Sequence, residues 1–132
     1  LGQRSVSTCE EMAYVKLDEH TSGKEAYQIM QDAGAVEGYV ISSTGEYVGK
    51  LDIFGAISAS DKRVADFLLR ESTTLLEDDS LQTAMTKTID FVGESIPILS
   101  NDEKYLKSVV SEGSIFQAVI EVQNSVSKIG RA

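Results

Sequence analysis

Residues 39–57 read YVISSTGEYVGKLDIFGAI. Tyr39, Val40 and Ile41 form a short run of strand-favouring residues. Ser43-Thr44-Gly45 is a tight turn, and Tyr47 to Leu51 is a second such run. A helix or helical turn opens at Asp52 in DIFGAIS. Residues 97–116, PILSNDEKYLKSVVSEGSIF, follow the same order. One short chain therefore spells a polar-ended hairpin twice.

Working outward, each hairpin has the same forerunners. Ahead of the first lies a short apolar strand, Ala13 to Leu17. A helix follows, with Ser22 as N-cap and Glu25 three residues on, a capping-box pattern. Ala26, Ile29, Met30 and Ala33 recur at helical spacing, and Gly34 stops the helix. After the hairpin, ASDKRVADFLLRES (Ala59–Ser72) reads as a short helix. Ser60 or Asp61 caps it, and Val64, Phe67 and Leu68 share a face.

Ahead of the second hairpin, TTLLEDD is a strand. DSLQTAMTKTIDFV is a helix capped by Asp79 or Ser80, with Leu81, Ala84, Met85, Thr88 and Val92 turned inward. ESIPIL and KYLKSVV are strands around a turn at Ser100–Lys104. The final helix, SEGSIFQAVIEVQNSVSKIG, carries a stripe of Ile115, Val119, Val122, Val126 and Ile129, which offers apolar surface for pairing two copies, and ends at Gly130.

One fixed shift lays the halves on each other. Ala26 falls on Ala84 and Tyr39 on Pro97, displaced by 58. Past the turn, Gly49 falls on Ser108 and Asp52 on Ser111, displaced by 59. A single insertion in a turn, where insertions cost least, reconciles the register. An internal repeat of strand–helix–strand–strand–helix outranks local propensity as a guide to fold.

Composition narrows the function classes. The chain has 132 residues, 42% hydrophobic and 25% charged, enough for one domain of ordinary size with a core. The formal net charge of −9 repels phosphate backbones, so no nucleic acid is expected as a partner. It disfavours anionic membrane surfaces equally. No apolar run approaches the ~20 residues of a membrane span, and no signal segment opens the chain. The first residue is not Met, so the chain reads as a piece of something longer. The single cysteine, Cys9, allows no internal disulfide and fits a reducing, cytoplasmic setting.

Catalytic chemistry is thin. Gly23-Lys24 lacks the remaining spacing of a phosphate-binding loop. His20 is the only histidine, which excludes His-based triads and multi-His metal sites. Glu77, Asp78 and Asp79 do not match a calcium loop and read as a solvated turn before a helix. Neither an enzyme nor a metal site is expected.

Each half resembles a cystathionine-β-synthase (CBS) domain. The motifs are EAYQIM with YVISSTGEYVGKLDIFGA in the first half, and LQTAMTKT with IPILSNDEKYLKSVVSEGSI in the second. The resemblance implies an α+β fold of two βαββα repeats, packed sheet to sheet about a pseudo-twofold axis (a Bateman module). The division it implies is a lead at 1–12, a first motif at 13–58, a linker helix at 59–72, and a second motif at 73–132. Such pairs are regulatory attachments. The wording SLQTAM, GESIPIL and YLKSVVSEGSIFQA looks most like the cytoplasmic pair of ClC-type chloride channels and transporters, with a metal-ion efflux protein or a stand-alone CBS protein as the alternative. This implies a homodimer attached to a membrane-embedded channel or transporter domain of the same full-length chain.

In the family a cleft holds an adenosine nucleotide: ATP, ADP, AMP or S-adenosylmethionine. The strand beginning at the Pro position holds the base, here Tyr39 in the first half and Pro97 and Ile98 in the second. A Ser or Thr after the third strand contacts phosphate, and an Asp three residues later binds the ribose. This sequence departs from that pattern. The first pair of positions holds Asp52 and Gly55, the second Ser111 and Ser114. Asp52 would repel a phosphate, so Ser111, Ser114 and Pro97 mark the credible site. A helix-capping role for Ser111 and Ser114 is the competing reading. A ligand-free dimerisation or interaction module on the same fold is the other function class.

Overall fold

Two runs of five elements build the chain. The structure is a computed structural model that describes residues 4–130, with side chains through residue 125. The first run is β1 (Val15–Asp18), α1 (Gly23–Asp32), β2 (Glu37–Ile41), β3 (Tyr47–Asp52) and α2 (Ile53–Ala59). The second is β4 (Leu75–Leu76), α3 (Leu81–Lys87), β5 (Ile96–Leu99), β6 (Leu106–Val110) and α4 (Glu112–Gly130). The fold is α+β, with two three-stranded sheets ordered β1-β2-β3 and β4-β5-β6.

The register of the sheets bears out the repeat. β1 runs parallel to β2 with Leu17 opposite Val40 and Asp18 opposite Ile41. β4 runs parallel to β5 with Leu75 opposite Ile98 and Leu76 opposite Leu99. Each residue of the second set lies 58 places after its counterpart. The side chains behind this register are equally matched. Ala26 and Ala84 are fully buried, and so are the pairs Val40 and Ile98, Leu51 and Val110, and Ala56 and Ile115. Each of the buried Val, Leu and Ile side chains contributes about 2 kcal/mol through the surface it removes from water.

The residues group into two compact units. One comprises Ala13–Ser72 with Glu103–Leu106. The other comprises the chain through Met12, Thr73–Asp102, and the chain from Lys107 onward. The segment up to Met12 thus folds with the second repeat. Val6 is fully buried there, its N–H donating to the Asp79 carbonyl at 2.7 Å. Met12 N–H donates to the Val109 carbonyl at 2.9 Å, and Glu11 bridges Val110 in antiparallel fashion.

Local chemistry sets the helix ends. Ser22 Oγ accepts the Glu25 N–H at 3.2 Å, and Ser80 Oγ accepts the Thr83 N–H at 3.1 Å. Each satisfies one donor that the first turn leaves unpaired. Gly34 closes α1 at φ +65°, which glycine adopts without steric cost.

Three expectations are corrected. Residues 59–72 form no α-helix beyond Ala59, the last residue of α2. Ser60 takes φ +51°, and only Val64–Asp66 wind into a 3-10 turn. The reason is competition for backbone donors: Val64 N–H goes to Thr21 O and Leu69 N–H to Lys50 O, both at 2.9 Å. Val64, Phe67 and Leu68 still reach the core of their unit. Val92 is not inward but 94% exposed. α3 ends early because the Thr88 hydroxyl donates back to the Ala84 carbonyl at 2.9 Å, and Phe91 packs in place of Val92. Finally, Ile115 and Val119 of the α4 stripe lie in the core of their own unit and Val122 packs against it, so these residues offer no free apolar surface. Val126 and Ile129 lie outside the described side chains.

Candidate functional site

The end of β3 and the start of α2 hold the first pair of implied ligand positions. Asp52 is the N-cap of α2, and its Oδ1 accepts the Gly55 N–H at 2.8 Å. The carboxylate therefore already occupies the positive end of the helix. Gly55 stands at the place where the resemblance implies a ribose-binding Asp. A Cβ there would lie 2.7 Å from the Phe67 carbonyl oxygen and 2.8 Å from Leu51 Cδ1. The first obstacle is backbone, so no side chain fits and the first repeat is closed at this point.

Tyr39 is closed off as well. It is 1% exposed, with its ring edge-on to Tyr14 (centroids 5.7 Å apart) and tilted against Tyr47 (6.3 Å). Lys50, directly opposite Tyr39 in the sheet, places Nζ 5.9 Å from the ring centroid. That ammonium also pairs with Glu37 Oε2 at 2.9 Å, and both side chains are nearly fully buried. A buried cation needs such a partner. The Tyr47 hydroxyl is buried without a hydrogen-bond partner, and burial pushes its pKa well above the usual phenol range. An aromatic and charged cluster thus fills the position assigned to a base.

The second repeat shares the burial at the base position and differs in the charge around it. Pro97 and Ile98 lie in β5, every residue of which is buried. Val109 stands where the first repeat has Lys50, and Ser95 where it has Glu37. Ser111 precedes α4, and its Oγ accepts the Ser114 N–H at 3.1 Å. Ser114 Oγ donates to the Ser111 carbonyl at 2.9 Å. Both serines do cap the helix, yet both stay partly exposed and neither carries charge. Ser114, the counterpart of Gly55, carries a Cβ and stays partly exposed, and a Cβ at its neighbour Gly113 would meet only Ser111 Oγ, at an ordinary 3.8 Å.

A cavity of about 180 Å³ adjoins this helix start, lined by Thr8, Cys9, Glu10, Ser114, Gln117, Ala118 and Glu121. Arg4 organises one wall. Its Nε donates to Thr8 Oγ1 at 2.9 Å, and its Nη2 lies 3.6 Å from Glu121 Oε2. Cys9 is 5% exposed; burial raises its thiol pKa, with Arg4 opposing and Glu121 adding to the rise. A protonated, buried thiol is a poor nucleophile.

Thus Ser111 and Ser114 come together at one helix start with Pro97 and Ile98 in the same unit, whereas Asp52 and Tyr39 are engaged within theirs. Sequence reasoning missed Glu37–Lys50 and the cavity residues Thr8 and Glu10. A lysine inside the strand YVGKLD was the one available signal, since a buried lysine demands a carboxylate. Nothing local marked Glu10. Among the described residues no group of His, Cys, Asp and Glu is placed to hold a metal ion, and no helix is long and apolar enough to cross a membrane.

No protein-family model and no curated protein matches the sequence. Solved structures match in fold. A CBS domain pair/ACT domain protein from Thermotoga maritima superposes with a TM-score of 0.75 at 18% identity, over 89% of this chain and 98% of that one. CbpB in complex with c-di-AMP superposes with a TM-score of 0.77 at 12% identity, over 96% and 91%. The cytosolic domain of the Mg2+ channel MgtE in complex with ATP gives 0.67 at 19% identity, over 80% of this chain and 44% of that one. Two matched βαββα repeats, a shared register and these superpositions lead to one conclusion: the chain has the fold of a tandem pair of CBS domains.

Proposed function

We propose that this chain is a regulatory, non-catalytic module. It binds an adenosine nucleotide at the start of α4 and passes the state of that site to an ion-transport protein in a membrane. The observation that carries the reading is the contrast between the two helix starts. Asp52 puts a carboxylate on the N-terminus of α2, whereas Ser111 caps α4 with a neutral hydroxyl. An anion is favoured at the second and repelled at the first. Glu112 in the first turn of α4 keeps the affinity modest. ATP and c-di-AMP in the fold neighbours support an adenine nucleotide as the ligand class.

The sequence wording supports a ClC-type chloride channel or transporter as host, with the module on the cytoplasmic face. The Mg2+ channel among the fold neighbours supports an ion-transport setting and makes a metal-ion transporter the alternative host. The decisive measurement is calorimetric titration with ATP, ADP, AMP and S-adenosylmethionine. Ser111→Asp keeps a capping side chain but adds the charge found in the first repeat. It is expected to leave thermal stability nearly unchanged and weaken nucleotide binding at least tenfold. No heat from any of the four ligands would sink the reading.

A second reading is a ligand-free homodimerisation module. It is favoured by Phe116 and Ile120, about half exposed on α4. Sedimentation separates the two: a dimer indifferent to every nucleotide supports this second reading.

A further inference from the structure

We infer that residues 4–12 form a strap that opens as a unit from the second repeat, and that a ligand at the start of α4 holds it closed. The closing effect rests on the nucleotide reading above and deepens it; the opening does not depend on it. The strap comes first in sequence, yet it belongs to the unit built from Thr73–Asp102 and the chain from Lys107 onward. It is fastened at its two ends. At one, Val6 N–H donates to the Asp79 carbonyl at 2.7 Å, Leu81 N–H to the Arg4 carbonyl at 2.9 Å, and the Ser5 and Ser7 hydroxyls to the Glu77 carbonyl. At the other, Glu11 bridges Val110 and Met12 N–H donates to the Val109 carbonyl at 2.9 Å.

Between these fastenings the strap is thinly attached. Val6 and Cys9 are its only buried side chains; Ser7, Thr8, Glu10, Glu11 and Met12 are exposed. The ion pair of Arg4 with Glu121 joins two partly exposed side chains and adds little. The cavity of about 180 Å³ is lined by Thr8, Cys9 and Glu10 of the strap together with residues of α4, so packing contacts are missing there. The rest of the core, with Leu81, Ala84, Ile96, Ile98, Val110 and Ile115, comes from α3, β5, β6 and α4, so a packed centre remains when the strap leaves. A segment with few buried contacts and bonds only at its ends opens well before the core unfolds. Opening takes away three of the residues that line the cavity. An occupant of the cavity therefore binds the closed form and shifts the population toward it. Ser114 places that cavity at the helix start to which the nucleotide is assigned.

Cys9 is the only cysteine and is 5% exposed, so its reaction with the disulfide reagent DTNB reports opening on the whole chain. The labelling rate is expected to stay nearly flat in urea below the unfolding transition, because opening exposes little surface. Val6→Ala, checked for folding by circular dichroism, should label about tenfold faster. AMP at about ten times its dissociation constant, fixed by calorimetry, should slow labelling about tenfold. A parent labelling rate that climbs with urea as steeply as global unfolding overturns the strap. AMP that binds by calorimetry yet leaves the rate unchanged overturns the closing effect while the nucleotide reading stands. No heat from AMP removes the nucleotide reading and the closing effect together, and the urea slope still decides the strap.

Discussion

The two repeats share strand order, sheet register and matched buried side chains, yet they treat one position in opposite ways. In the first, a Cβ at Gly55 would press on the Phe67 carbonyl, and Asp52 occupies the start of α2. In the second, Ser114 carries a side chain at the matching place and stays partly exposed, and the cap Ser111 is uncharged. The sheets differ in the same sense. The first buries Lys50 against Glu37 and Tyr39, where the second has Val109, Ser95 and Pro97. A repeated backbone therefore carries different charge and packing at matched places in its two copies. The fold alone does not distribute function between them; the side chains at three or four positions do.

The largest test of this contrast concerns the buried ion pair. Lys50→Ala removes the ion-pair partner of the buried Glu37 and should cost about 3–5 kcal/mol in urea-unfolding experiments. The double change Lys50→Val with Glu37→Ser copies the second repeat and should cost much less, because no charge is left unpaired. Equal losses for the two would mean that the pair's charge is irrelevant and that the repeats differ only in volume.

Next comes the helix start. Gly55→Asp restores the carboxylate that the family resemblance implies, but against backbone, and should destabilise by about 2–3 kcal/mol without creating a site. Ser114→Asp makes the equivalent change where there is room. Its expected outcome is a smaller loss of stability than Gly55→Asp, about 1 kcal/mol, because only the hydrogen bond from Ser114 to the Ser111 carbonyl goes. A stable, nucleotide-binding Gly55→Asp protein would erase the distinction between open and closed repeats.

The smallest expected effect is at Tyr47. Its hydroxyl is buried and unpaired, so Tyr47→Phe should be neutral or stabilising by about 1 kcal/mol. The pH dependence follows from the raised pKa. Folding holds the phenol protonated while the unfolded chain ionises near its ordinary value of 10.0. This contribution is complete below that pH and is lost as pH rises above it, so alkali should favour unfolding. Tyr47→Phe should remove that part of the alkaline loss, read as a smaller fall in melting temperature at high pH.

Much of this was legible locally. Ser22, Ser80 and Gly34 mark helix ends through hydrogen bonds and dihedral angles confined to a few neighbouring residues. Alternating and helical apolar spacing located ten elements, and the constant displacement of 58 between halves reappears as the register of β1–β2 and β4–β5. Ser111 and Ser114 were legible as a pair because capping is also local.

Tertiary structure decided what depends on distant partners. ASDKRVADFLLRES has helical spacing, but Thr21 and Lys50 claim its donors from other elements, and no pattern within the segment can reveal that. Gly55 looks like any small residue until the Phe67 carbonyl is placed against it. Glu10 comes to line a cavity with Ser114 only because residues 4–12 fold with the last helix. Short-range energetics is written in neighbouring residues, whereas the openness of a site depends on which remote backbone arrives beside it.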